Sequence, residues 1–435
     1  MKKNYRKKTV YVTLAVDFIH EGHINILNVA QNYGEITVGL LTDKAIGYYK
    51  KLPHFSFEQR KKIVENLKQV TNIIEQNELD YTKNLNLLKP NYVIHGDDWK
   101  NGFQKKIRQK VIKTLKKWSG KLIEPKYTKG ISSTIIKDKI FKVATTPDIR
   151  KSRLKRLLEA KNIVRILESH NALTGLIAEG TTIREKGLEY EFDGMWSSSL
   201  TDSATRGKPD NQSVDYSIRY QAVNEILEVT TKPIIFDADN GGRLEHISYM
   251  VKTLERSGVS AMIIEDKIGL KRNSLFKVQK KNQQDSIPNF VKKIKKAVET
   301  KISDDFMVIA RIESLILGKG LEDALKRAKY YSLAGADAIL IHSKENNPDE
   351  IFKFAKKYKS KIYAKPLVCV PSTYSKTYEK DLVKNGFKIV IYANQMLRSA
   401  YPAMLNTAQS ILKNRRAYES EKNISSIKEV INLIK

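Results

Sequence analysis

Apolar and polar positions along the chain follow two rhythms. In the first, an apolar run from Thr9 to Val16 leads into a helically spaced set (Ile24, Leu27, Val29, Ala30) and then a second run, ITVGLL at 36–41. That order predicts a β–α–β unit. A helix through 57–67, a strand at Tyr92–His95 and a last segment near Ile131–Ile136 extend it to an open, Rossmann-like α/β sheet over residues 1–140. The stretch FKVATTPDIRKSR (141–153) mixes Pro, Thr and charge without a sustained period and is expected to be a linker. From 154 to 435 the second rhythm takes over. Eight short apolar runs alternate with helical stretches: VRILES (164–169), GMWSSS (194–199), PIIFDAD (233–239), AMIIEDK (261–267), MVIARIES (307–314), AILIHS (338–343), YAKPLVCVP (363–371) and IVIYAN (389–394). Continuous apolar runs suit parallel strands buried on both faces. Eight of them predict a (β/α)8 barrel, in which chemistry sits at the C-terminal strand ends. The fold class is therefore α/β throughout, in two domains.

Composition changes this picture little. The formal net charge of +30 invites a nucleic-acid partner. However, the lysines are scattered along the whole chain, and no basic run alternates with aromatics as stacking platforms do. The expectation is small anionic substrates and no nucleic acid. The single cysteine, Cys369, rules out an internal disulfide and suits a reducing compartment. The basic start lacks the apolar run and small-residue cleavage site of a signal peptide. No stretch reaches the roughly 18 apolar residues of a membrane span. A cytoplasmic location without membrane contact is expected.

The second domain places its unusual polar residues at strand ends. Asp237, Asp239, Glu265 and Asp266 follow the third and fourth strands, and Asp210 lies in the loop after the second. Carboxylates meeting at one mouth repel one another unless a cation joins them, and hard oxygen ligands select Mg2+ or Mn2+. Arg311, Lys271 and His342 supply opposite charge and donors nearby. A metal beside such groups is suited to a small anion carrying carboxylate and phosphoryl oxygens.

These residues carry a resemblance. WSSSLTDSATRGKPD (196–210), DAD (237–239), EDKIGLKRNSL (265–275), ARIES (310–314), GADAILIHSK (335–344) and VPSTY (370–374) resemble the phosphoenolpyruvate mutases of the isocitrate lyase superfamily. The resemblance implies interconversion of phosphoenolpyruvate and phosphonopyruvate, a step of phosphonate biosynthesis, and a homo-oligomer, either dimer or tetramer. It implies that Asp237 ligates Mg2+ directly, with Asp239, Glu265 and Asp210 acting mainly through waters. Trp196, backbone amides near Ser198 and Leu200, Arg311 and His342 would contact substrate. Lys271 and Asn273 would ride a gating loop, and Asp210 would act as nucleophile or electrostatic guide. Where the superfamily's lyases carry a catalytic cysteine, this loop has Lys271, Arg272, Asn273 and Ser274. Two departures from the pattern, DADNGGR after the third strand and Gly269–Leu270 before Lys271, bear on loop mobility. The nearest rival on this scaffold is phosphonopyruvate hydrolysis.

In the first domain, His20-Glu-Gly-His23 follows the first strand and opens a helix. Free N–H groups and the dipole there favour phosphate, and Gly22 lets a triphosphate approach. VDFIHEGH (16–23), LLTDKAI (40–46), FEQRKKIV (57–64), YVIHGDDW (92–99) and KGISSTII (129–136) resemble the cytidylyltransferase-like nucleotidyltransferases. The resemblance implies that His20 and His23 are catalytic. Asp17, Gly22, Lys44, Arg60, Ser132, Ser133 and Thr134 would line the nucleotide site. CTP would be the substrate and a phosphonate the acceptor of CMP. Leu14 and Tyr127-Thr128 depart from that pattern. Three functions remain open at this stage: a bifunctional mutase and cytidylyltransferase, a mutase with a non-catalytic first domain, and a basic nucleic-acid-binding protein.

Overall fold

The computed structural model describes residues 7–100, 104–126, 146–269, 271, 273–275 and 283–433. The first domain runs β1 (Thr9–Leu14), α1 (Glu21–Gln31), β2 (Glu35–Leu41), α2 (Asp43–Gly47), α3 (Phe57–Glu65), β3 (Val70–Gln76), α4 (Thr82–Leu88), β4 (Tyr92–Ile94), α5 (Lys105–Leu115) and β5 (Lys121–Ile123). Among the described residues its five strands are parallel in the order β3-β2-β1-β4-β5, and the expected last segment near Ile131–Ile136 lies outside that set. Alternate residues of β1 feed opposite layers. Val10 and Val12 pack with Leu27 and Ala30 of α1, whereas Tyr11 packs with Leu85, Trp99 and Val111 on the other face. The chain steps from β1 out to β3 and then returns to β4 on the far side of β1. That reversal opens a crevice at the C-terminal ends of β1 and β4, the usual ligand position of such sheets.

Helix α6 (Pro147–Ala160) opens the second domain. Thr146 caps it, its hydroxyl accepting from Ile149 N at 3.4 Å, and Pro147 occupies the first turn, where its missing N–H is harmless. Helix thus replaces the second half of the expected linker. Residues 141–145 lie outside the described set, as do Ser132, Ser133 and Thr134.

The barrel closes through β6 (Val164–Glu168), β9 (Gly194–Ser197), β10 (Ile234–Asp237), β11 (Ala261–Glu265), β12 (Met307–Ile312), β13 (Ala338–Ile341), β14 (Leu367–Cys369) and β15 (Phe387–Tyr392), with every pairing parallel. All eight coincide with the expected runs. A short α8 (Ser199–Thr205) lies at the mouth, and the outer helices include α7 (Ala172–Gly180), α9 (Tyr216–Val229), α10 (Leu244–Ser257), α11 (Ile287–Thr300), α12 (Gly320–Leu333), α13 (Asp349–Tyr358) and α14 (Glu379–Lys384). Inward residues such as Ile166, Trp196, Ile235, Ile263, Ile309 and Leu340 fill the barrel, so it is packed rather than hollow. Leu154 and Leu157 of α6 join this same cluster. Ser260, just before β11, donates to Arg150 O at 2.9 Å, which seats α6 against the N-terminal ends of the strands. One barrel end is sealed by α6, and the other is free for chemistry.

Two elements lie outside the expected pattern. A hairpin, β7 (Thr182–Glu185) and β8 (Leu188–Glu191), turns through Lys186 and Gly187, both at positive φ as a type I′ turn requires. Helix α15 (Gln395–Asn414) buries none of its residues and exposes Tyr401, Met404, Leu405, Ile411 and Leu412. A short α16 (Ile427–Asn432) follows. Among the described residues, no helix is long and apolar enough to cross a membrane.

Candidate functional site

At the open barrel mouth, the ends of β9, β10, β11 and β12 bring opposite charges together. Asp237 closes β10, and its Oδ2 accepts from Ser199 Oγ at 3.0 Å. Asp239 follows at φ +51°, a left-handed backbone uncommon for a residue with a side chain, held as Glu265 N donates to its carbonyl at 2.8 Å. Lys271, from the loop after β11, reaches into this group. Its ammonium contacts Asp239 Oδ1 and Ser199 Oγ, with Asp210 Oδ1 at 3.4 Å and Asp237 Oδ2 at 3.6 Å. Two residues on, Asn273 Nδ2 donates to Asp210 Oδ2 at 2.8 Å. Both loop residues therefore fasten on Asp210.

The local field follows from these contacts. Burial alone would raise the Asp237 carboxyl, but Lys271, Arg219 and Arg311 hold it well below the ordinary carboxylate range. Burial would likewise lower the Lys271 ammonium, yet Asp237, Asp239 and Asp210 keep it protonated. Burial pushes Glu265 up, against the pull of Arg311. Neither Glu265 oxygen has a hydrogen bond among the described residues, and Arg311 Nη2 stands 3.4 Å from Oε2.

Beside the aspartates lies a second set. Arg311 donates from Nε to Glu313 Oε1 at 2.6 Å and from Nη2 to Ser274 Oγ at 2.9 Å, and its Nη2 is 2.8 Å from His342 Nδ1. Lys267 Nζ is 3.1 Å from Glu313 Oε2. Burial and then Arg311 depress His342, so its imidazole is neutral, while Arg311 and Lys267 outweigh burial and keep Glu313 ionised. Arg311 and His342 thus form a donor-bearing wall next to the aspartate cluster.

Asp210, Asp237 and Asp239 surround the Lys271 ammonium, and Glu265 has two oxygens without a hydrogen bond among the described residues, so the donors at this mouth are the hard oxygens that divalent cations prefer. Among the described residues, no three His, Cys, Asp or Glu side chains lie close enough to ligate one ion together. The Lys271 ammonium stands among them instead. Such spacing suits an ion taking one or two carboxylates and keeping several waters, as Mg2+ commonly does.

Two residues, Trp196 and Asp266, fall differently from the sequence expectation. Trp196, expected to touch substrate, packs among the inward apolar residues of the barrel. Ser198 caps α8 and Leu200 lies in its first turn, at the mouth beside Asp237. Asp266 turns away from the mouth: Tyr331 OH and Gln284 Nε2 donate to it at 2.8 and 2.9 Å, and Arg327 Nη1 at 3.1 Å. It anchors the helix layer. Sequence reasoning missed Ser199, Lys267, Glu313 and Arg219. Arg219, from α9, donates to Asp202 Oδ2 and Asp239 Oδ2, both at 3.2 Å, and lies over the Phe236 ring. Its distance along the chain from any motif concealed it.

In the first domain, the crevice between β1 and β4 receives the end of β1. Val16 sits at φ +45°, a genuine outlier for a β-branched residue, and re-aims the chain ahead of Asp17. Asp17 Oδ1 accepts from His54 N at 2.7 Å and Phe55 N at 3.1 Å. His20 occupies the N-cap of α1, followed by Gly22 in its first turn, with the His20 and His23 rings 3.9 Å apart. Burial, then His20 and Lys50, lower the His23 imidazole to about 4, and burial also lowers His20, so both are neutral near pH 7. After β4, His95 stacks on Trp99 with centroids 3.9 Å apart, across the crevice.

Two of the expected nucleotide-site residues differ in setting. Arg60 is fully buried, and its donors are committed to Ala15 O at 2.5 Å, Leu41 O at 2.8 Å, Phe55 O at 3.3 Å and Asp43 Oδ1 at 2.8 Å. It is a strut behind the crevice, with four of its five N–H groups committed inside the fold. Lys44 is exposed on α2. The lysine whose charge bears on His23 and Asp17 is Lys50.

Comparison with known proteins agrees with both halves. Residues 154–412 match the family model of phosphoenolpyruvate phosphomutase, and residues 16–139 match that of cytidylyltransferase-like proteins. A phosphoenolpyruvate phosphomutase of Tetrahymena pyriformis is 36% identical over 283 residues, which cover 65% of this chain and 90% of that relative. The crystal structure of a phosphoenolpyruvate phosphomutase from Streptomyces platensis subsp. rosaceus is similar at a TM-score of 0.60 and 34% identity, covering 66% of this chain and 95% of that one. A phosphonopyruvate hydrolase in complex with oxalate and Mg2+ is similar at a TM-score of 0.58 and 32% identity, with the same coverage of 66% and 95%.

Replacing Arg219 with Met leaves Asp202 and Asp239 buried beside an apolar chain. Loss of one partner from such a group is expected to cost about 3–5 kcal/mol. Urea unfolding reads this directly, and an unchanged midpoint would remove Arg219 as the support of the mouth.

Proposed function

Because the chain belongs to the phosphoenolpyruvate phosphomutase family and carries a cytidylyltransferase-like domain ahead of its barrel, we propose that it makes phosphonopyruvate from phosphoenolpyruvate and transfers CMP from CTP to a phosphonate. The observation that carries the first half is the pair of contacts from one loop, Lys271 and Asn273, onto Asp210. Lys271 and Asn273, anchored there, would help to exclude water from the mouth, which a phosphoryl group moving within one pyruvate unit requires. The P–O bond to the enol oxygen breaks, and a P–C bond forms at carbon three of the same enolate. Arg311 and the neutral His342 would donate to carboxylate and phosphoryl oxygens. The Ser198–Leu200 turn would offer backbone amides to the same anion. Asn273 and Lys271 would hold the phosphoryl oxygens between the two bonds, with Asp210 orienting both. Mg2+ or Mn2+, when bound near Asp237, Asp239 and Glu265, supplies positive charge for the enolate and carboxylate oxygens. Phosphoryl transfer of this loose kind depends on positioning and charge neutralisation.

For the first domain, the supporting observation is a pair of neutral, adjacent histidines, their rings tilted at 41°, at a helix N-terminus in the β1/β4 crevice. A phosphonate oxygen would attack the α-phosphorus of CTP, pyrophosphate would leave, and His20 and His23 would donate to the phosphoryl oxygens in flight. The same reading makes the protein cytoplasmic, with small anions as its ligands. A self-assembled dimer or tetramer is supported by the bare apolar face of α15. Light scattering is expected to give at least twice the chain mass, and a monomer would end that part of the proposal.

Phosphorus NMR with phosphonopyruvate tests the chemistry, because phosphoenolpyruvate appears if the mutase reading holds and free phosphate if the chain is a hydrolase. Asp210→Ala and Asn273→Ala are each expected to lose most turnover while keeping the fold. CTP-dependent pyrophosphate release, assayed with a panel of phosphonates, is expected to vanish in His20→Ala and His23→Ala. Full release in both would leave the first domain a scaffold.

A further inference from the structure

Arg156 lies on α6, the helix that seals the barrel, yet its guanidinium is committed to the other domain. Nη1 donates to His54 O at 2.9 Å, and Nη2 donates to Pro53 O at 3.0 Å and Phe55 O at 3.2 Å. Nε and Nη2 also reach Asp43 Oδ2 at 3.1 and 2.9 Å. The loop it grips is the one whose His54 and Phe55 N–H groups hold Asp17. The other oxygen of Asp43 binds Arg60, which ties down Ala15 at the end of β1. Two arginines, one from each domain, thus share one aspartate and fix the segment that leads to His20.

The rest of that loop is also held by barrel residues. Leu52 is buried in the apolar cluster of Leu154, Leu157 and Ala160. A Cβ at Gly47 would stand 3.4 Å from the Ala160 methyl, in ordinary van der Waals contact, so the two domains touch here. Lys51 pairs with Glu191 at 3.5 Å, and Glu189 N donates to Tyr49 O at 3.4 Å, both from the β7–β8 hairpin. Lys50 lies between these anchors, and its charge is felt at His23 and Asp17.

We propose that Arg156 is a positioning residue for nucleotidyl transfer, through which the barrel's sealing helix sets the loop that carries Lys50 and braces Asp17. The proposal rests on the nucleotidyl-transfer reading of the first domain. Arg156 need not touch the nucleotide. Its planar fork binds three carbonyls and a carboxylate at once, which a lysine ammonium cannot reproduce. Small displacements of groups around a reacting phosphorus are costly in rate.

The test uses the full chain with Arg156→Ala and the milder Arg156→Lys. The alanine variant is expected to lower kcat/KM for CTP-dependent pyrophosphate release by about tenfold to a hundredfold, with the lysine variant between it and wild type. Amide hydrogen exchange at His54 and Phe55 is expected to rise by about tenfold or more in Arg156→Ala, because their bonds to Asp17 loosen. Mutase turnover, at the opposite barrel end, is expected to stay within about twofold of wild type. Wild-type pyrophosphate release together with wild-type exchange at those amides overturns the proposal. So does a parallel loss of mutase turnover in both variants, which would make Arg156 a residue of the fold alone. If the unmodified chain releases no pyrophosphate, the nucleotidyl-transfer reading fails by itself. Exchange at His54 and Phe55 then still decides whether Arg156 holds the loop.

Discussion

The barrel mouth is organised by the need to neutralise carboxylates that the fold forces together. Parallel strands converge at their C-terminal ends, and Asp237, Asp239 and Glu265 stand on neighbouring ends with Asp210 above them. All of these side chains are largely out of water, where like charges repel strongly. Lys271 is the cation that resolves the conflict from above, and Arg219 does so from beneath, behind Asp239. Lys271 belongs to a loop rather than a strand, so under the proposed function covering the mouth and balancing its charge would be one event. A phosphorylated, carboxylated substrate with a divalent ion would replace that balance with another. Arg311 and His342, already joined through Glu313, are placed to receive the anion.

The other barrel end has a different task. Helix α6 seals it with Leu154 and Leu157, and the first domain docks on the seal through Leu52 and Arg156. The first domain therefore docks at the barrel end opposite the acidic mouth. The interior between them is filled by Trp196, Ile235, Ile263 and Ile309, so no small molecule passes within the barrel. Any shared intermediate must travel through solvent. What the docking can share is mechanical, since the loop bearing Lys50 is held by both domains.

Much of this was legible in the sequence, for physical reasons that also mark where legibility ends. The eight barrel strands could be read because each is buried on both faces, which leaves an unbroken apolar run ending in polar residues. The acidic cluster could be read because those polar residues fall at strand ends. Asp266 could not be separated from Glu265, since adjacent residues on a strand point to opposite sides and only the structure shows which side faces the mouth. Arg60 sits in a recognisable motif, but its complete burial depends on carbonyls from Ala15, Leu41 and Phe55 that no local pattern brings together. Lys50 was overlooked in favour of Lys44 because the turn after α2 decides which lysine points back toward His23. The β7–β8 hairpin did leave a signal, the alternating TIRE and LEYE around Lys186-Gly187, but it was overshadowed by the barrel rhythm.

The central claim, that the aspartates around Lys271 form a cation seat, is tested most directly by Mn2+ binding followed by electron paramagnetic resonance in the absence of nucleotide. The account predicts a site in the unmodified chain that is lost in Asp237→Ala while the protein stays folded. Equal Mn2+ binding by the two proteins, or none by the unmodified chain with substrate present, would contradict it.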